Sequence, residues 1–111
     1  MEFNPSNPVV KRCLEGMDMA ENGKPEEANR LFLQAWHEAT GDLEKFIAAY
    51  YVARHQESDA DRLQWNETAL QFALAVNDGS VHSAFPSLYA HIAKYYEGLG
   101  NPAQAKRYHD L

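Results

Sequence analysis

Cysteine is almost missing from this chain of 111 residues: Cys13 stands alone. No internal disulfide can staple the fold, and a lone thiol fits a reducing compartment, so a cytoplasmic location is expected. Long apolar runs are missing as well. The longest, from Phe46 to Ala53, falls far short of the roughly 20 residues that cross a bilayer. No membrane partner is expected. The opening Met-Glu-Phe-Asn-Pro-Ser-Asn-Pro has neither a basic start nor an apolar segment, which argues against a secretory leader. Positive charge is short: 10 Lys and Arg stand against 16 Asp and Glu, a formal net charge of −6. Nucleic-acid binding draws most of its affinity from cations facing phosphates, so no nucleic-acid partner is expected. A Gly-x-Gly-x-x-Gly stretch and a P-loop are both absent, which removes the usual cradle for a nucleotide.

What is present is ordinary globular material, 45% hydrophobic and 23% charged. That is too apolar for disorder and the right length for a single domain. Turn-forming residues divide it at Asn7-Pro8, Gly23-Lys24-Pro25, Gly41-Asp42, Ser58-Asp59, Asp78-Gly79-Ser80, Phe85-Pro86 and Gly100-Asn101-Pro102. A glycine past a helix end supplies the left-handed closing residue, and a proline at the next first turn costs no hydrogen bond. Ser58, followed by Asp59 and Asp61, reads as an N-cap with acids in the first turn. The segments between the breaks show no strand-like alternation. Six helices are expected, over 8–22, 25–39, 42–56, 59–77, 86–99 and 102–110, joined by short loops that make neighbours antiparallel.

Two of the breaks are one device repeated. Gly23-Lys24-Pro25-Glu26-Glu27-Ala28 and Gly100-Asn101-Pro102-Ala103-Gln104-Ala105 each give a turn, a proline and an alanine five residues after the glycine. Ala35 and Ala69, each followed by a large apolar residue, lie 34 residues apart. That period, with a helix pair per unit, is the tetratricopeptide spacing. Tyr89, Ile92, Ala93, Tyr96, Gly100 and Ala105 match the pattern in the last unit. The first unit has Arg12, Glu15, Gly16, Met19, Gly23 and Ala28, with Phe32 and Ala35 completing its second helix. In the middle unit Phe46, Ala49, Tyr50 and Ala53 are followed by Glu57 and Arg62, where a glycine and an alanine are expected. The chain therefore resembles the tetratricopeptide repeat superfamily over nearly its whole length, as a small member of the bacterial type. The resemblance implies an all-α fold, a right-handed superhelix of about three antiparallel helix pairs. Its units are approximately 8–41, 42–78 and 86–111, behind an N-terminal tail of residues 1–7.

Between the second and third units the spacing exceeds the period by nine residues. Helix 59–77 is expected to run long, or the loop around Asn77–Phe85 to extend into solvent. Gly16, Ala53 and Ala93 are expected where helices approach closely, so Ala93→Arg should prevent packing. Trp36, Phe32, Trp65, Phe72, Tyr89 and Tyr96 should fill the space between units.

Chemistry-bearing clusters are thin. His37, His55, His82, His91 and His109 include no pair at the i, i+4 spacing of a His-Glu-x-x-His site, and Cys13 has no cysteine near it. Neither a metal nor a cofactor is expected. Glu26-Glu27 and Glu57 with Asp59 and Asp61 fall at turns, where capping alone accounts for acids. No catalytic residue is assigned, and the chain is not expected to be an enzyme.

The resemblance also implies an inner groove lined by the first helix of each unit. Carried over, its positions are Val10, Cys13, Leu14 and Met17; then Ile47, Ala48, Tyr51, Arg54 and His55; then Ala90, His91, Lys94 and Glu97. Of these, Cys13, Met17, Ile47, Tyr51, Arg54, His55, His91 and Lys94 are the candidate partner-binding residues. The set is apolar and sulfur-bearing at one end and basic at the other, which suits an amphipathic helix or an extended acidic segment. Only Lys94 is basic where some members of the superfamily hold a C-terminal carboxylate, which argues against chaperone-tail recognition. The expected function is a scaffold holding a protein or peptide. The alternative is a structural unit that self-associates, as a homodimer, through an uncapped terminal helix pair. An enzyme with an unrecognised site is a third reading.

Overall fold

Proline and glycine set the helix boundaries. In the computed structural model, residues 4–76, 79 and 81–111 are described. Among them are six α-helices and no strand: α1 (Pro8–Glu21), α2 (Pro25–Glu38), α3 (Gly41–Arg54), α4 (Asp59–Ala75), α5 (Phe85–Gly98) and α6 (Pro102–His109). Every expected helix is present, with ends within two residues of those read from the sequence. Pro8, Pro25 and Pro102 each open a helix, where the missing N–H has no intrahelical partner to lose. Gly23 and Gly100 close α1 and α5 at φ 75° and 78°, a region that side chains with a Cβ rarely enter.

Side-chain caps complete the ends. The Oδ1 of Asn7 accepts from the N–H groups of Val9 and Val10 at 2.8 and 3.3 Å. Ser58 Oγ accepts from the Asp61 N–H at 3.1 Å, as its position suggested. At the start of α3, Glu44 reaches back to accept from the Thr40 N–H at 2.9 Å. Its other oxygen accepts from Asn7 Nδ2 at 2.9 Å, which ties the beginning of α1 to the beginning of α3.

Successive helices pack as neighbours, α1 on α2, α3 on α4 and α5 on α6, with α2 on α3 and α4 on α5 linking the pairs. One continuous core runs through them, and Phe32, Phe46, Leu88 and Ile92 are its largest fully buried side chains. Gly16 earns its place against Phe32: a Cβ there would sit 2.5 Å from the ring. Ala53 and Ala93 are buried as expected of close-approach positions. Trp36 of α2 meets Trp65 and Phe72 of α4 edge-on at 5.2 and 5.8 Å between centroids, so aromatic rings bridge the first two pairs. Lys45 covers the same indole, 4.3 Å from its centroid, and donates to the Trp36 carbonyl.

The middle pair closes without the glycine that its neighbours use. Arg62 Nε donates to the Gln56 carbonyl at 2.7 Å and its Nη1 meets Asp59 at 3.3 Å. The side chain at the expected alanine position thus ties down the turn that a glycine would otherwise shape.

The extra residues before the third pair correct the expectation of a markedly lengthened helix, while in the expected loop Gly79, His82 and Ser83 are exposed. α4 has 17 residues against 14 in α1, α2, α3 and α5, less than one added turn. Beyond it, a 3-10 turn over His82–Ala84 leads into α5, and Val81 and Ala84 are buried in the core. The insertion is therefore anchored by apolar side chains. Asn77, Asp78 and Ser80, also within the expected loop, lie outside the described residues, as do residues 1–3 of the expected tail. The stack is uneven at this point. α1 packs against α3, but no Cα of α3 comes within 8 Å of a Cα of α5.

Candidate functional site

The eight candidate residues divide by depth. Cys13 and Ile47 are 0% and 2% exposed, so a partner cannot reach either; this corrects their assignment to the groove surface. Val10 and Ala48, read on the same face, are buried too. The physical reason is helix rotation. Periodicity fixes which positions share a face, but the α1–α2 and α1–α3 contacts turn the Cys13 and Ile47 edge of that face into the core. Burial pushes the Cys13 thiol up to about 12, which leaves it protonated and a poor nucleophile at neutral pH.

Met17 and Tyr51 are half-buried, and Leu14 beside Met17 is 46% exposed. Tyr51 stacks on Phe32 at 5.7 Å between ring centroids and meets Tyr50 edge-on. Burial chiefly, with Cys13 nearby, pushes its hydroxyl up, while Arg54 draws it down. These residues make an apolar, sulfur-bearing end.

Arg54, His91 and Lys94 form the other end. Arg54 is the last residue of α3, and His91 and Lys94 lie one turn apart on α5. Burial, then the charges of Lys94 and Arg54, hold the His91 imidazole below its usual range. Among the described residues neither Arg54 nor Lys94 has a salt-bridge partner. Lys94 Nζ lies 5.9 Å from the centroid of the neighbouring Tyr95 ring.

His55 is the residue that the structure sets apart. It caps α3, stacks on Phe32 at 4.6 Å, and leaves Nε2 shielded from solvent with no hydrogen-bond partner among the described residues. Burial, then Arg54, holds it below the ordinary histidine range. It borders a separate cleft of about 340 Å³ with Pro25, Glu26, Glu57 and Asp61.

Sequence reasoning missed a second surface. A hollow of about 600 Å³ runs along α4 and is lined by Leu63, Glu67, Leu70, Gln71, Leu74 and Tyr108 among others. Leu74 is 61% exposed. The signal was available: Leu63, Leu70 and Leu74 stand at i, i+7 and i+11, one stripe of a helix.

Among the described residues, no group of three or more His, Cys, Asp or Glu side chains is placed to hold a metal ion. No described helix is long and apolar enough to cross a membrane. Comparison with known proteins found no matching family model, no matching curated protein and no matching solved structure.

Proposed function

We propose that the chain is a non-catalytic interaction scaffold, a tetratricopeptide-like right-handed superhelix whose α1–α3–α5 face holds a peptide or helix from another protein in the cytoplasm. The observation that carries this reading is the set Tyr51, Arg54, His91 and Lys94, of which Arg54 and Lys94 are exposed and Tyr51 and His91 half-buried, with Met17 at its apolar end. Two cations with no carboxylate partner among the described residues and a half-buried tyrosine stand on α3 and α5 of an otherwise acidic chain, and we read them as one face. Mixed surfaces of this kind, an aromatic anchor beside unpaired charge, recognise amphipathic or acidic segments. The sulfur and aromatic end adapts its packing, and the cations fix the orientation of the ligand. The test is a pull-down with Tyr51→Ala/Arg54→Ala beside the unaltered chain, with circular dichroism to show that the helices persist. Loss of captured proteins from the variant supports the reading; an unchanged set removes the face as the site.

A second reading is self-association, favoured by the leucine-bearing hollow over α4 and by Leu74, Leu99 and Leu111, which are 61%, 47% and 68% exposed. Light scattering over a range of concentrations decides it: a mass that doubles with concentration and reverts in Leu74→Glu supports a homodimer through this surface.

A further inference from the structure

The three helix pairs share a register that their turns set. Cys13, Ile47 and Ala90 stand ten residues before Gly23, Glu57 and Gly100, and Phe32, Asn66 and His109 stand nine after them. In the first pair, which α3 follows, both positions are buried, and in the middle pair, which α5 follows, both are buried again. In the last pair both are exposed. A third position shows the same gradient: Val9 is buried, Leu43 half-buried and Pro86 exposed.

The first pair shows what covers such positions. There α3 packs on both α1 and α2, and its Tyr51 and His55 rings lie on Phe32 at 5.7 and 4.6 Å between centroids. The last pair has a hollow of about 480 Å³ at the corresponding place, lined by Pro86, Ala90 and His109 together with Phe85, Tyr89 and Tyr108. The rings adjoin one another: Phe85 stacks on Tyr89 at 5.9 Å, and Tyr89 meets Tyr108 at 6.3 Å. Whereas α2 and α4 each pack on the helix before and the helix after, α6 packs on α5 alone among the described helices.

We propose that this hollow docks a helix of another protein, an amphipathic helix with carboxylates in its first turn, seated as α3 is seated on α1 and α2. Charge selects that partner. The last turn of α6 carries Lys106, Arg107 and His109. His109 pairs with Glu97, while neither Lys106 nor Arg107 has an ion-pair partner among the described residues. In the seated example α3 follows α2 and carries Asp42 and Glu44 in its first turn. Acids at that place suit the helix's own dipole, and at this hollow they also meet a basic last turn. A second copy fits less well. Its opposite end presents Arg12, paired with Glu15 and Glu38 at 3.5 Å, where α3 has Phe46 and α5 has Tyr89. Its like end presents the same basic turn on both sides of the contact. None of the residues lining the hollow belongs to the set proposed above, so the inference goes beyond that reading and stands without it.

The probe is a terminally blocked fluorescent peptide with the sequence of residues 40–55, which is α3 with one residue on either side. Its binding to the full chain is followed by anisotropy at low salt. Ala90 and Pro86 are exposed, so Ala90→Glu and, separately, Pro86→Glu place a charge in the hollow while the helices persist by circular dichroism. The expected result is saturable binding that each of the two weakens at least about tenfold, because an apolar helix face cannot seat on an unpaired charge. Lys106→Ala/Arg107→Ala weakens it about two- to tenfold, the scale of two exposed ion pairs. Absence of binding overturns the site. Binding indifferent to both hollow variants places the peptide elsewhere and overturns it as well. Weakening by Ala90→Glu alone, with Pro86→Glu without effect, moves the peptide to the α1–α3–α5 face and has the same consequence. Binding lost in both hollow variants but untouched by removal of Lys106 and Arg107 overturns the acidic partner. A chain that doubles its mass by light scattering without peptide, and returns to a single mass in Ala90→Glu, gives the hollow to a second copy and overturns the proposed occupant.

Discussion

At the scale of single residues, three side chains show how burial decides behaviour. Gly16 exists for Phe32: with 2.5 Å between a would-be Cβ and the ring, Gly16→Ala forces the core apart. Overpacking of this kind costs about 1–3 kcal/mol, readable as a lower urea midpoint with an unchanged slope. Cys13, buried and held protonated, should resist a thiol reagent in the folded chain and react at once in denaturant; rapid labelling of the native protein would contradict its placement. His55 and His91 carry a stability consequence. Each is held below 6.5 by burial first and by nearby cations next, so the unfolded chain binds their protons more readily than the folded one. Their contribution is whole above 6.5 and is lost as pH falls through the lower folded values. The urea midpoint should therefore drop between about pH 7.5 and 5.5. His55→Phe, which keeps the stack on Phe32 and removes an unpartnered Nε2, should reduce that drop; an undiminished drop would show that His55 is not its source.

At the scale of elements, the boundaries were legible because their signals are local. A proline with no N–H, a glycine free to adopt positive φ and a serine before two acids each act within a turn of their own position. How far each helix rotates into its neighbours is not local, which is why Cys13 and Ile47 were read as surface and lie in the core, while Leu14, Tyr51 and Arg54 beside them are accessible. The Arg62 tie was illegible for the same reason: the pattern wants an alanine there, and only the folded turn brings the guanidinium to the Gln56 carbonyl. Arg62→Ala should cost about 1 kcal/mol, the worth of such a hydrogen bond, and loosen amide protection around 55–60. Glu44 serves two elements at once. Hydrogen bonds from the Thr40 backbone, then Asn7, hold its carboxyl below the ordinary range, so its stabilisation is present above 4.5 and fades as pH falls below that. Glu44→Gln should remove part of the acid sensitivity seen by thermal melts in that window.

At the scale of the molecule, the stack changes character between its second and third pairs. The insertion anchored by Val81 and Ala84 goes with an α3–α5 separation wider than the α1–α3 contact. The turn and cap residues foretold six helices and their order; where Val81 docks is something that no repeat pattern encodes. The hollow along α4, with Leu63, Leu70 and Leu74 among polar side chains, offers the alternative. One measurement separates the two: a photo-crosslinking residue placed at Tyr51 in one sample and at Leu74 in another, with the products identified by mass. The account predicts that position 51 captures a different, acid-rich protein and that the capture disappears with Arg54→Ala. Crosslinks that form at position 74 alone, or that join only two copies of this chain, would contradict it.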